Sequence, residues 1–300
     1  VVATVEGRFD DRLAATGSEL FSATDLLLTA WDAGGEVPTV ISELRSDGAR
    51  PGPLVAEGGR VVWGAALIGR ADSTNDQQVR AAVPELGEAA PRHFRLRFGA
   101  ASLDGRKVLL YVERMEPRAK AGRLPEPPGP PSRWVIADAG LTSVAISRDE
   151  ATTTARWDES TALVSTSVVG RLSSFVLWSP AGARTLTVED GTAARSLVPM
   201  GDGRWVAGMA SGHVVTFTEG GTETDVAAHS RPVTALAYER GSSLLASGGE
   251  DGRILVTWPS GSSCDLDTGE AVEALTWASN GALVGKVGGA DGRLLVMRPG

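Results

Sequence analysis

A chain that repeats itself every 40 residues or so has few architectures open to it, and this one repeats most plainly at its C-terminal end. The stretch "LLASGGEDGRILVTW" (244–258) is followed about 40 residues later by "LVGKVGGADGRLLVM" (283–297), and the sequence stops soon after. Both copies carry the same marker, a short polar turn followed at once by an apolar run. It occurs as "TGS-ELFSAT" (16–24), "EGG-RVVWGAAL" (57–67), "LDG-RKVLLYV" (103–112) and "WDES-TALVST" (157–166). It returns as "GDG-RWVAGMA" (201–210), "ERG-SSLLASG" (239–248) and "SNG-ALVGKVG" (279–288). Seven turns result, at spacings of roughly 38 to 54 residues.

Each copy continues in the same way. A second turn leads to another β-rich run ending on a bulky residue: "LLLTAW" to Trp31, "SSFVLW" to Trp178, "HVVTF" to Phe217. A small third turn then precedes one more strand, as in "EVPTVIS", "ARTLTVED", "TETDVA" and "SSCDLD". Short runs rich in β-branched residues and bounded by Gly, Asp, Asn and Pro read as strands joined by hairpins. The 37 glycines, against six Phe and two Tyr, agree with many tight turns. Four strands per unit, repeated seven times, predict an all-β chain: a seven-bladed β-propeller of four-stranded antiparallel blades. The approximate blades are 8–48, 49–90, 91–150, 151–191, 192–230, 231–270 and 271–300, in a single domain spanning 1–300. Six blades with an unrelated N-terminal element is the alternative count.

The last copy ends "RLLVMRPG", one strand short, and the chain begins with the β-rich "VVATVEG". Residues 1–7 are therefore expected to supply the outer strand of the last blade and close the ring, which removes exposed end blades.

At "AHSRPVTALAYERGSSLLASGGEDGRILVTW" (228–258) the chain resembles the WD40-repeat family. The "AH" stands where that family favours Gly-His, and "VTALAY", "LLASG" and the "EDGR" turn follow in its order. The resemblance is good over 194–300, fair over 150–193 and thin before that, apart from "WDAGG" at 31–35. It implies that His229, Ser247 and Asp251 belong to the family's structural hydrogen-bond tetrad. The fourth member departs from the pattern: six residues after Asp251 stands Thr257, with Trp258 one step late, and the equivalent positions elsewhere are Met297 and Phe217. The resemblance also implies a protein that assembles complexes and has no catalytic activity.

Composition narrows the partners. A formal charge of −8 argues against nucleic acid, whose binders present a basic face. One cysteine, Cys264, makes no internal disulfide, and no apolar run reaches the length of a membrane span. "VVATVEGRFDD" has neither the basic start nor the apolar stretch of a signal peptide. A cytoplasmic protein is the expectation. Usage rich in Ala, Gly, Val and Arg, with Arg well above Lys, suggests a bacterial source with a GC-rich genome, and the first residue, not Met, suggests a piece of a longer chain.

Two stretches break the rhythm. "GRADSTNDQQ" (69–78), with Arg70 and Asp72, is polar and poor in β-formers. "ERMEPRAKAGRLPEPPGPPSRW" (113–134) carries Arg118, Lys120 and Arg123 and has five of the sixteen prolines within 125–131, including a PxxP from Pro125 to Pro128. Both are read as insertions between the second and third strands of their units, with the Pro/basic loop at 113–132. That places them on one face, the first place to look for a partner. Passive insertion at a loop tip is the plainer alternative.

Reactive constellations are not found. The three histidines, His93, His213 and His229, accompany no G-x-S-x-G, and one Cys with scattered His provides no zinc spacing. "DLDTGE" shares half the pattern of a calcium loop through Asp265, Asp267 and Glu270, but the same letters suit a strand end and turn. "GGEDG" and "GGADG" are hairpin turns whose acid repels a phosphate. Among the tryptophans, Trp31, Trp178 and Trp258 close third strands, Trp63 and Trp205 lie in second strands, and Trp157 in "RWDES" is the one expected at the surface, where it can anchor a partner. The leading expectation is a non-enzymatic interaction scaffold, with no cofactor and no metal, for another protein or another domain of the same polypeptide. Two readings stand beside it: a sensory or regulatory domain of a larger bacterial protein, and a propeller enzyme or ligand binder using Asp251, Asp291, Arg253 and Arg293 in a central channel.

Overall fold

The computed structural model describes residues 192–298, apart from 202, 219, 279, 290 and 291, together with the strands that run between Val2 and Val188. Every regular element among them is a β-strand. β1 (Val2–Glu6) is followed by a sheet of β2 (Arg12–Thr16), β3 (Glu19–Ala23), β4 (Leu27–Asp32) and β5 (Thr39–Arg45). A three-stranded sheet holds β6 (Leu54–Glu57), β7 (Arg60–Trp63) and β8 (Ala66–Leu67). The next comprises β9 (Phe94–Ala101), β10 (Lys107–Arg114), β11 (Arg133–Asp138) and β12 (Val144–Arg148), and the next β13 (Thr152–Trp157), β14 (Ala162–Thr166), β15 (Ser173–Ser179) and β16 (Gly182–Val188). Two more follow: β17 (Ala194–Gly201), β18 (Arg204–Met209), β19 (His213–Thr218) and β20 (Gly221–Ala228), then β21 (Val233–Glu239), β22 (Leu244–Gly249), β23 (Arg253–Thr257) and β24 (Ser263–Asp267).

The last three strands, β25 (Val272–Trp277), β26 (Leu283–Val287) and β27 (Arg293–Met297), take β1 as their fourth, in the order β1-β27-β26-β25. Val2 lies opposite Met297 and Glu6 opposite Arg293, antiparallel throughout. Within the other sheets each strand pairs with its neighbour in sequence, as hairpin-linked strands do. Among the described residues no helix is long and apolar enough to cross a membrane.

The first strand of each sheet packs on the first strand of the next: β2 on β6, β6 on β9, β9 on β13, β13 on β17, β17 on β21 and β21 on β25, with β25 also touching β2. Sheets thus cover one another face to face, and the core lies between them. Phe175 and Leu177 of one sheet meet Trp205, Phe217 and Met209 of the next, the two Phe rings 4.8 Å apart. Val206 and Val214 meet Val233 and Leu245, while Leu20 and Trp31 meet Leu294 and Val296. Central strands covered on both faces lose the alternation of a half-exposed strand. β18 is accordingly buried from Trp205 to Met209, which explains why the repeat marker is a continuous apolar run. The fourth strand has no outer neighbour, and β24, "SCDLD", is polar and exposed over most of its length, which discourages edge pairing.

Two glycines set how closely the sheets approach. A Cβ on Gly248 would stand 2.4 Å from Val272 Cγ1 and 2.8 Å from Val272 Cβ, and one on Gly208 would stand 2.5 Å from Val233 Cγ1. Neither valine is a flexible chain end that could swing away. Gly248→Ala is therefore expected to lower stability by about 2 kcal/mol through overpacking; urea unfolding at neutral pH measures it, and an unchanged midpoint would contradict this account.

Two sequence expectations need correction. The apolar run 60–67 is not one strand: Trp63 pairs with Ala66 and Val62 with Leu67, so it folds into the β7–β8 hairpin. A glycine within an apolar run was the turn signal. The segments 69–78 and 115–132, expected on one face, lie outside the described residues. Trp157, expected in a turn, is the last residue of β13, opposite Ala162.

Candidate functional site

His229 occupies the link between β20 and β21 and joins two sheets. Its backbone N–H donates to the Gly212 carbonyl of the preceding sheet at 2.9 Å. Its ring turns the other way: Nδ1 lies 3.0 Å from Asp251 Oδ1, and Nε2 lies 2.9 Å from Ser247 Oγ on β22. A carboxylate only accepts, so Nδ1 donates to Asp251, while Nε2 and the Ser247 hydroxyl share the second hydrogen bond. Asp251 also accepts from Ser230 N at 2.9 Å and from Arg253 N at 3.2 Å. Burial pushes its pKa up, but the bonds from His229, Ser230 and Arg253 outweigh burial and hold it below the ordinary value of 3.8. The His229 side chain is fully buried and Asp251 is 4% exposed. Glycines make room for this joint: a Cβ on Gly249 would stand 2.8 Å from His229 Nδ1, and one on Gly212, whose φ is +98°, would meet the His229 carbonyl at 2.3 Å.

The neighbouring sheet builds the same joint from other residues. Thr268 takes the place of His229, its N–H and hydroxyl both donating to the Gly252 carbonyl at 2.7 Å. Lys286, on the strand equivalent to that of Ser247, is buried with its ammonium paired to Glu273. Arg293 donates to the Thr268 carbonyl at 3.0 Å, and its Nε lies 3.3 Å from Glu270 Oε2.

The remaining candidate residues do not converge. Arg253 pairs with Asp265 on β24, Asp267 accepts from Gly269 N at 2.9 Å, and Glu270 faces Arg293, so the three acids of "DLDTGE" each have a separate partner. Among the described residues no three His, Cys, Asp or Glu are grouped so as to hold a metal. His213 is half-exposed, its Nδ1 3.0 Å from Asp225 Oδ2. Arg70, Asp72, His93, Arg118, Lys120, Arg123, Pro125, Pro128 and Asp291 lie outside the described residues.

At the other end of the same two sheets the structure opens a cleft of about 520 Å³ that the sequence reading missed. Met200, Arg204, Thr216, Asp225 and Val226 form one wall; Tyr238, Ser243, Leu245 and the turn from Thr257 to Gly261 form the other. Of its lining, Leu245 belongs to an apolar cluster with Val206, Val214 and Val233, against which Met200, Val226 and Tyr238 pack. The only hint in the sequence was an aromatic residue at each of two strand ends, Tyr238 and Trp258.

Comparison with known proteins adds one solved structure. A chain of the crystal structure of a mitotic checkpoint complex superposes with a TM-score of 0.53, over 95% of this chain and 74% of that one, at 12% identity. The likeness is one of fold. With the four-stranded antiparallel sheets it supports a β-propeller fold. No protein-family model matches the sequence, and no curated protein matches it. Because 1388 chains of solved structures match, the architecture is widespread and does not by itself assign an activity.

Proposed function

We propose that this chain is a protein-interaction scaffold: a closed, seven-bladed ring that presents its loops to a partner protein or to another domain of the same polypeptide. The observation that carries this reading is how the chemically capable side chains are engaged. His229, Ser247, Asp251, Thr268, Lys286 and Arg293 are bound to one another, to neighbouring carbonyls or to adjacent acids at the joints between and within sheets. The channel-enzyme reading draws no support from Asp251, which is sealed from solvent, or from Arg253, which is paired with Asp265. Ring closure is supported by the pairing of β1 with β27 and by the contact of β25 with β2. The fold likeness to a chain of a multi-protein complex agrees with a protein partner.

The 115–132 connection between β10 and β11 is the working loop in this proposal. Affinity capture from the native host, with the intact chain and with one whose residues 116–131 are replaced by a short Gly-Ser linker, tests it. A stoichiometric protein held by the first and lost by the second is the expected result. Equal retention moves the binding surface elsewhere, and absence of any partner from both removes the support for a scaffold.

A further inference from the structure

We infer that the cleft between the β17–β20 and β21–β24 sheets binds an extended peptide segment carrying an aspartate or glutamate beside an apolar residue. This rests on the scaffold reading and names the chemistry of one partner contact.

Shape argues for an extended chain. The first wall takes residues from all four strands of its sheet: Met200 from β17, Arg204 from β18, Thr216 from β19, Asp225 and Val226 from β20. Three inter-strand steps of about 4.8 Å make this wall roughly 14 Å long, the length of about four residues in extended conformation. The volume lies within the range of ligand-binding clefts, and Met200, Val226, Tyr238 and Leu245 in the lining offer apolar surface against which a side chain of the occupant can be buried.

Polarity argues for an acid. Among the described residues the Arg204 guanidinium, in the lining of the cleft, has no carboxylate partner. The one carboxylate in the lining, Asp225, is already engaged by His213. Arg204 is therefore the one charged side chain of the lining without a partner, and a carboxylate is the acceptor-only group that pairs with a guanidinium bidentately. Ser243, the one non-glycine among the described residues with a left-handed backbone (φ +58°), also lines the cleft.

The test uses the full chain labelled with 5-fluorotryptophan, the Trp258 resonance being assigned by its loss in Trp258→Phe. The probes are the acetylated and amidated tetrapeptide Leu-Asp-Leu-Ala, its Leu-Asn-Leu-Ala counterpart, and hexanoate. The expected result is a saturable shift of the Trp258 resonance with the Asp peptide, weakened about tenfold with the Asn peptide and by a similar factor in Arg204→Ala. The peptide comparison needs no variant, so misfolding cannot imitate it. No shift at millimolar peptide, or equal shifts with Asp and Asn, overturns the inference. Hexanoate binding as tightly as the Asp peptide overturns it as a peptide site and leaves a small-acid site. Should the cleft fail while the host partner is still captured, only this inference falls; should capture fail while the peptide binds, the loop-based scaffold reading falls instead.

Discussion

A chain lacking residues 1–7 is expected to melt about 10 °C below the intact chain, a loss far larger than its length suggests. β1 contributes five register pairs to β27, from Val2–Met297 to Glu6–Arg293. At about 1 kcal/mol net for each backbone hydrogen bond, an intact ladder of this length is worth roughly 3–5 kcal/mol. Its removal also turns β27 into an unprotected edge, although Leu294, Leu295 and Val296 are buried. A domain of this size shifts its midpoint by roughly 2–4 °C per kcal/mol, which gives the figure above. Thermal unfolding followed by circular dichroism measures it. An unchanged midpoint would rule out closure of the ring through β1, and partial rescue by a synthetic peptide of residues 1–7 would reinforce it.

His229→Ala is expected to destabilise the protein by about 3 kcal/mol at neutral pH, since it leaves a buried carboxylate without its main partner. Asp251 would keep the two backbone donors, Ser230 N and Arg253 N, while Ser247 Oγ and a space the size of an imidazole would be left unfilled. Ser247→Ala, which removes one bond and no charge partner, should cost about 1 kcal/mol. The effect is linked to pH. In the intact chain the Asp251 pKa is depressed below 3.8, so its contribution is complete above that value and fades as pH falls through the lower, folded-state pKa. Without His229, burial acts with less opposition and the carboxyl protonates at higher pH. The gap between the two proteins is therefore expected to be large at pH 7 and to narrow below about pH 4. Urea unfolding at pH 7 and pH 3.5 decides it: a gap that is independent of pH would make the loss one of packing alone.

Strand content, turn positions and the repeat were properties of the sequence alone, because each depends on residues within a few positions of one another. The seven polar-turn markers each head a strand of a separate sheet, and "VVATVEG" becomes the β1 that pairs with β27. The trio His229, Ser247 and Asp251 was also legible, through the resemblance of 228–258 to a known repeat, and the structure brings those three side chains together. Local reading failed where one turn looked like another. Val62 and Trp63 pair with Leu67 and Ala66 within a run read as one strand, and Trp157 ends a strand instead of beginning a loop.

Only the tertiary structure decided what happens between sheets. Gly248 is bare because Val272, from the next sheet, stands 2.4 Å from where its Cβ would be. Lys286 is buried with its ammonium paired to Glu273, and at both joints a backbone N–H, of His229 or of Thr268, donates to a glycine carbonyl, a bond that needs no imidazole. The cleft takes its walls from two sheets, with Arg204 on one and Trp258 on the other, so no window of sequence contains it. A sequence states the period of a repeat through local hydrogen bonding and alternation. The surfaces where repeats meet depend on side chains tens of residues apart, whose packing exists only once the sheets are stacked.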